Sequence, residues 1–336
     1  MLGVWRLQLL REISRRGSIK AAAEAMSITP SAVSQQLAIL EREAGVQLLE
    51  KRGRRVRLTD AATLLVRHAD TITGAIAAAE ADLASMQQLV TGTLRIAAFP
   101  TAARAVLPSV MTALSRQHPA LRVTLRDLEA AESLTALQMD EIDIAIVDEY
   151  DEPARVSDGG LEFCEFMRDP LYLALPPEES TAPRAAVRPR PAPGAAVRLS
   201  DLREAFWIMD TEDSHLGQVT LRACRSSGFE PHVRSNCKDF SVIIALVEAG
   251  LGVGMLPGLA IHDRPVRASI HPTDPPLARR IASVIRPERR SHPMIVSVLA
   301  ELDRFGAAYD PPRGGGSRDN SVSTQLSSMG VNAIEP

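Results

Sequence analysis

Before residue 91, apolar positions recur at helical spacing in four separate runs, and turn-forming residues lie between them. Val4, Leu7, Leu9, Leu10 and Ile13 make the first run and predict a helix that covers two others. The second, residues 18–26, is Ala-rich. Ala21, Ala22 and Ala25 are small enough for a neighbouring helix to cross closely, and only Ser27 and Ile28 link this segment to the next. In the third, Val33, Leu37, Leu40 and Ala44 form one face. Thr29 is a good N-cap because its hydroxyl accepts an otherwise unpaired N–H, Pro30 suits the first helical position, and Gly45 supplies the stop.

After Gly45 the period shortens. Residues 46–49 and 56–58 are short apolar runs flanking Lys51, Arg52, Gly53, Arg54 and Arg55, a pattern that predicts a β-hairpin with a cationic tip. Thr59 and Asp60 then cap a long helix. Its apolar positions Leu65, Ala69, Ile72, Ile76, Ala79, Leu83, Met86 and Val90 step alternately by 4 and 3. That heptad seam predicts a coiled-coil partner, since a helix packed only on its own domain carries a wider stripe. Gly74 in its middle costs about 1 kcal/mol relative to Ala, a loss the partner helix is expected to offset.

From Gly92 strands and helices alternate. Strands at 93–99, 121–128 and 142–147, separated by helices at 107–117 and 132–139, give a βαβαβ order and hence a parallel sheet with helices on both faces. A strand pair follows at 161–166 and 171–175. Residues 176–197, rich in Pro, Ala and Arg, read as a mobile surface loop. A second α/β unit has strands at 206–209, 232–237 and 253–256 and helices at 214–226 and 240–249. Strands at 266–271 and 281–285 are expected to return to the first unit before a helix at 293–305. The Gly/Ser-rich tail, without periodicity, is expected to be disordered from residue 307 to 336.

A chain of 336 residues predicts more than one domain. The net charge of −3 conceals an asymmetry. Residues 1–58 carry 11 Lys/Arg and 5 Asp/Glu, or +6, leaving 27 against 36, or −9, for the remainder. A basic head on an acidic body suits nucleic-acid binding by the head. Its apolar runs are short and interrupted, so no signal peptide or membrane span is expected and the cytoplasm is the expected compartment. Cys164, Cys224 and Cys237 lack CxxC spacing and read as buried thiols in a reducing cytosol, with no metal site or cofactor expected.

Ser31, Ser34, Gln35 and Gln36 lie near the start of the third helix and mostly off its apolar face, as suits a helix that reads base edges. Gly250, Gly252 and Gly254 superficially suggest a dinucleotide turn, but a helix precedes them and a strand follows, the reverse of what phosphate binding needs. The sequence has no P-loop, GxSxG or HExxH motif, and its seven histidines are dispersed. No enzymatic activity is expected.

Residues 17–50 (GSIKAAAEAMSITPSAVSQQLAILEREAGVQLLE) and 53–61 (GRRVRLTDA) resemble the N-terminal domain of LysR-type transcriptional regulators, and the likeness extends to about Phe305. Leu49 and Lys51 depart from that family's usual aromatic and arginine at the wing. The resemblance implies an α+β multidomain chain. Residues 1–58 form a winged helix-turn-helix, 59–91 a dimerising linker helix, and 92–306 a two-lobed α/β effector domain like a periplasmic binding protein. Lobe I takes 92–160 and 266–306, and lobe II takes 161–265. Thr29, Pro30, Ser31, Ser34, Gln35 and Gln36, with Lys51, Arg52, Arg54 and Arg55, are the expected contacts to double-stranded DNA. A dimer implies a pseudo-palindromic operator, and the resemblance adds a dimer of dimers. Transcriptional regulation implies RNA polymerase as a further partner.

Ligands of open α/β sheets sit beyond the carboxyl ends of strands. That rule selects Phe99, Pro100, Thr101, Ala102, Asp148, Asp210, Thr211, Asp213, Ser214, Lys238, Asp239 and Phe240, at the loops where the family carries its inducer. Thr101 and Lys238 favour an anion, and the three aspartates Asp148, Asp210 and Asp213 favour a cation. A small carboxylate or a zwitterion such as an amino acid fits, while Thr101, Ser214 and Asp239 also read as plain helix caps. Two alternatives stay open. One is a solute-binding protein, which needs an export signal; the other is an α/β enzyme with an accessory DNA-binding head.

Overall fold

Residue chemistry at the helix ends sets the first elements. In the computed structural model, helix α1 (Val4–Arg16) stops at Gly17, which adopts φ 69°. Helix α2 (Ile19–Ala25) starts at Ser18, whose hydroxyl oxygen accepts the Ala21 N–H. Helix α3 (Pro30–Ala44) begins after Thr29, which accepts the Ala32 N–H at 3.2 Å, and ends at Gly45, also at φ 69°. Strands β1 (Leu49–Arg52) and β2 (Arg55–Leu58) pair antiparallel. Helix α4 (Asp60–Gln87) starts at Thr59, which accepts the Ala62 N–H at 3.1 Å.

The structure describes residues 1–52, 55–87, 90–150, 157–158, 160–178 and 191–312. The expected wing-tip contact Arg54, residues 179–190 of the expected mobile loop and 313–336 of the expected tail lie outside the described residues.

Leu7, Leu9, Leu10, Ile13, Val33, Leu37, Leu40 and Leu48 close one core with Ala22, Ala23, Ala62 and Ala69. Three expectations shift here. Val4 is exposed, because it occupies the first turn, which extends past the core. The alanines that let α2 approach its neighbours are Ala22 and Ala23, whereas Ala25 is exposed at the helix end. The wing strand starts at Leu49 rather than Val46, which is exposed.

Beyond α4 come β3 (Gly92–Ala98), α5 (Pro100–Ala105), α6 (Leu107–Gln117), β4 (Leu121–Asp127), α7 (Ala130–Gln138), β5 (Ile144–Glu149) and β6 (Ser157–Asp158). Strand β7 (Leu161–Leu175) is continuous. The expected break between two strands is absent because proline's fixed φ at Pro170 is compatible with extended chain. Then follow β8 (Val197–Arg198), β9 (Phe206–Met209), α8 (His215–Ser226), β10 (His232–Asn236), α9 (Phe240–Glu248), β11 (Gly254–Pro257) and α10 (Gly258–Ile261). Strands β12 (Ser269–Asp274) and β13 (Ala278–Ile285) and helix α11 (Pro293–Ala308) complete the order.

Contacts divide the chain into two units. Unit 1 holds residues 1–147, 155–166 and 282–307, and unit 2 holds 148–154, 167–281 and 308–336. The head, the linker helix and lobe I therefore form one body, although their sequence patterns differ. In unit 1, β3 pairs in parallel with β4 and β5, as the βαβαβ order requires. In unit 2, residues 171–175 of β7 pair antiparallel with β11 and β12, and β9 pairs in parallel with β10. The return to the first unit comes at residue 282, not 266, because β12 takes its hydrogen bonds from β7 and β8. Order also continues past residue 307. Helix α11 reaches Ala308, and the Tyr309 hydroxyl donates to Asp169 at 3.0 Å.

Candidate functional site

Helix α3 turns Val33, Leu37 and Leu40 into the head core, so Ser31, Ser34 and Gln35 are exposed and Gln36 is half-buried. The hydroxyls are held in place before anything binds. Thr29 and Ser31 share a hydrogen bond of 2.9 Å, and the Ser34 hydroxyl donates to the Pro30 carbonyl at 3.0 Å. Hydroxyl and amide side chains fixed at one helix end can pair with donors and acceptors on base edges.

The β1–β2 hairpin is anchored to α3 by a residue that the hydrophobic pattern does not reveal. Glu41, on α3, accepts the backbone N–H of Leu48 at 2.8 Å and of Leu49 at 3.2 Å. The ladder sets Glu50 opposite Arg57, Lys51 opposite Val56 and Arg52 opposite Arg55. Arg6 fastens α1 to α3 through Glu43, at 2.6 and 3.1 Å. That pairing holds the Glu43 carboxyl below the usual range. Charged pairs at such spacing can be recognised in a sequence only once the helices are known to cross.

On α4, the expected seam splits. Ala69 is fully buried in the head's own core and Leu65 packs beside it. Ile72, Ile76, Ala79, Leu83 and Met86 are exposed, with Leu83 62% and Met86 82% accessible, and Val90 lies beyond the helix.

The residues at the strand ends fall in both units. In unit 1, Phe99 occupies the N-cap of α5 and Pro100 its first position. Thr101 is therefore inside the helix rather than its cap, and it is buried along with Ala102. In unit 2, Asp148 is already paired, because Arg279 donates to it at 2.9 Å. The same guanidinium, 2% exposed, also reaches Asp169 at 2.8 Å. Asp148 is thus already engaged by a cation of its own chain, one that it shares with Asp169.

The parallel pairing of β9 and β10 brings their following loops together in unit 2, and Cys237 N–H donates to the Met209 carbonyl at 2.8 Å. Asp210 accepts the Thr211 N–H at 2.7 Å, and burial raises its carboxyl above the ordinary value while Ser214, Asp213 and Lys238 act on it nearby. The Asp213 carboxyl is held low by the Thr211 hydroxyl. Ser214 caps α8 by accepting the Gly217 N–H at 2.9 Å. Asp239 caps α9 by accepting the Ser241 N–H at 2.7 Å, with exposed Lys238 before it and Phe240 partly buried after it. Gly217 is required here, since a Cβ at that position would lie 2.1 Å from the Thr211 carbonyl oxygen. Gly252 has an equally structural task, its absent Cβ making room for the Phe206 carbonyl oxygen 2.5 Å away.

Among the described residues, no group of three or more His, Cys, Asp and Glu could hold a metal ion. Nor is any helix among them long and apolar enough to cross a membrane. Of the three cysteines expected to be buried only Cys224 is, while Cys164 and Cys237 are partly exposed; burial pushes the Cys224 thiol up to about 12, so it is not a thiolate near neutrality.

Residues 5–63 match the family model for the bacterial regulatory helix-turn-helix protein of the lysR family, and residues 87–306 match that for the LysR substrate binding domain. Among curated relatives, the transcriptional dual regulator GltC of Bacillus subtilis (strain 168) is 28% identical over 311 residues, covering 89% of this chain and 98% of GltC. The hydrogen peroxide-inducible genes activator of Dickeya chrysanthemi is 28% identical over 286 residues, covering 84% and 88%. Among solved structures, a full-length OxyR variant from Pseudomonas aeruginosa superposes with TM-score 0.65 at 21% identity, over 93% of this chain and 97% of that one. HinK, a LysR family regulator from the same organism, gives 0.53 at 19% identity, over 91% and 100%. At such identities the superpositions establish the fold. With matched segments spanning both the head and the effector domain, the chain belongs to the LysR family of DNA-binding transcriptional regulators and is not an enzyme.

Proposed function

We propose that two copies of this regulator, joined along the exposed stripe of α4, place their α3 helices in successive major grooves of a pseudo-palindromic operator. The exposed apolar stripe Ile72, Ile76, Ala79, Leu83 and Met86 carries this reading, because water is a poor environment for such a row. Leu65 and Ala69 instead hold each linker helix to its own head. Ser31, Ser34, Gln35 and Gln36, following Thr29 and Pro30, contact bases and nearby phosphates. Lys51, Arg52, Arg54 and Arg55 hold the backbone beside the groove. Phosphate contacts by the +6 head make affinity fall steeply with salt.

The effector domain takes a small polar molecule. The loops at Asp210–Thr211–Asp213–Ser214 and at Lys238 carry both signs of charge, which favours a zwitterion such as an amino acid over a plain carboxylate. Pairing of Asp148 with Arg279 removes one of the anionic contacts expected from the sequence. On longer operators two dimers assemble as a dimer of dimers, and RNA polymerase is the protein partner at the promoter.

The division of labour is tested by binding to the gene's own upstream DNA and to random duplex. Replacing Gln35 with Ala should remove about 1–3 kcal/mol of discrimination while leaving random DNA unaffected. Arg52→Ala should weaken both duplexes and shallow the salt slope by about one. Equal losses on both duplexes for both variants would overturn the assignment.

A further inference from the structure

Four of the points where the chain passes between its units lie at residues 147–148, 166–167, 281–282 and 307–308. Just inside unit 2 at each of them stands one member of a single hydrogen-bonded cluster: Asp148, Asp169, Arg279 and Tyr309. Three of the four sit on strands, Asp148 on β5, Asp169 on β7 and Arg279 on β13. Tyr309 differs. It follows the end of α11 and lies past residue 306, where the match to the LysR substrate binding domain stops. After it the chain runs on as Asp310, Pro311 and Pro312, with both prolines half-buried. A residue before proline is confined to extended backbone, and consecutive prolines are stiff. Residues 309–312 thus make a stiff strap.

The place that receives the Tyr309 side chain is shaped for a phenol. The hydroxyl donates to Asp169 Oδ1, the oxygen that also accepts the Leu259 N–H, each at 3.0 Å. Arg279 holds the other carboxylate oxygen at 2.9 and 2.8 Å, so the acceptor is oriented independently of Tyr309. The His262 ring lies 5.3 Å from the Tyr309 ring and is tilted by 54°, a spacing at which aromatic pairs attract. Gly258 supplies the room. A Cβ there would come within 2.7 Å of the Tyr309 hydroxyl oxygen and 2.6 Å of Asp169 Oδ1. Burial raises the phenol above its usual range, so it stays protonated and remains a donor. Burial also raises the Asp169 carboxyl, against the pull of Arg279 and the Tyr309 hydroxyl. Loss of a donor from so buried an acceptor is costly.

We propose that unit 2 carries a phenol-binding site, built from Asp169, Gly258 and His262, whose resident ligand is Tyr309 of the same chain, and that its occupancy straps the end of α11 to unit 2. The site uses none of Asp210, Thr211, Asp213, Ser214 and Lys238. It therefore rests on neither the effector reading nor the regulator reading. Because Tyr309 is tethered, its local concentration at the site is on the order of millimolar. A free phenol displaces it only well above that range. Truncating the side chain at position 309 opens the site to such a molecule.

The test uses full-length protein and p-cresol, which is the tyrosine side chain without its backbone. Tyr309→Ala should lower the melting temperature. Added p-cresol at millimolar concentration should then raise it by about 2–4 °C relative to the unaltered protein treated alike. In Tyr309→Ala combined with Gly258→Ala, whose added Cβ obstructs the site, p-cresol should give no such rise. Hydrogen exchange separates the site from the strap. Tyr309→Ala should speed amide exchange at residues 258–262 and also at 305–308. Bound p-cresol should slow the first again and leave the second fast, since it fills the site without a link to α11. An equal p-cresol response in the unaltered protein, a response that survives Gly258→Ala, or unchanged exchange at 305–308 overturns the proposal. If Tyr309→Ala does not fold, Tyr309→Phe decides, because it keeps the ring and loses only the hydroxyl. Faster exchange at 305–310 in that variant supports the strap, and exchange as in the unaltered protein overturns it.

Discussion

Arg279 is the residue on which most of unit 2's buried charge converges. Its guanidinium bridges Asp148 and Asp169, and Asp169 also accepts the Leu259 N–H and the Tyr309 hydroxyl, each at 3.0 Å. Replacing Arg279 with Met would leave two carboxylates without their common partner, and removal of one member from a buried ionic group costs about 3–5 kcal/mol. Urea unfolding should register a loss of that size, and a loss below about 1 kcal/mol would show that water compensates the carboxylates. Asp143 makes a second prediction. Burial works to raise its carboxyl, but the Arg95 guanidinium and backbone N–H outweigh burial and hold it below the usual range. The folded value lies under the unfolded one, so the stabilisation is complete above about pH 4 and is lost as pH falls through the folded value. Urea midpoints measured from pH 7 downward should therefore drop in acid, and Asp143→Asn should flatten that drop. An unchanged slope in the variant would contradict the assignment. Neither cluster was visible in the sequence, because Arg279 lies 131 residues from Asp148 and Arg95 lies 48 from Asp143. Local spacing carries no information on such pairs.

At the scale of elements, legibility followed how local the cause is. The limits of α3 could be read from Thr29, Pro30 and Gly45 because capping is settled within four residues. The parallel sheet of unit 1 was legible because βαβαβ order leaves few alternatives. Strand β7 defeats the pattern at Pro170, where the break signal is local but extended chain tolerates it. The placement of β12 depended on which strand offered its edge, and periodicity is silent on that. On α4, the heptad steps identified the apolar side and missed the side of small residues that includes Gly74 and Ala81, since alanine and glycine carry almost no hydrophobic signal. Gly74 consequently looked like a defect in a seam, whereas it lies on the opposite face against Glu288. In the candidate effector site, the loops follow from topology, but Ser214 and Asp239 turn out to be committed as caps and Asp148 to an ion pair.

For the whole molecule, the basic head, the two-faced helix and the acidic α/β body assign separate physical tasks to separate stretches of one chain. Those tasks combine into regulation only if two heads act together on one duplex. The direct measurement is titration of an intact operator and of an isolated half-site, at several salt concentrations, with the unaltered protein and with Leu83→Asp, whose charge interrupts the exposed stripe. The prediction is two chains per intact operator and affinity that falls steeply with salt. Binding to the half-site should be weaker by at least about 100-fold, and Leu83→Asp should bring the intact operator down to that level, since each lost half contributes several kcal/mol. Equal affinity for operator and half-site, or full operator binding by a monomeric Leu83→Asp variant, would contradict it.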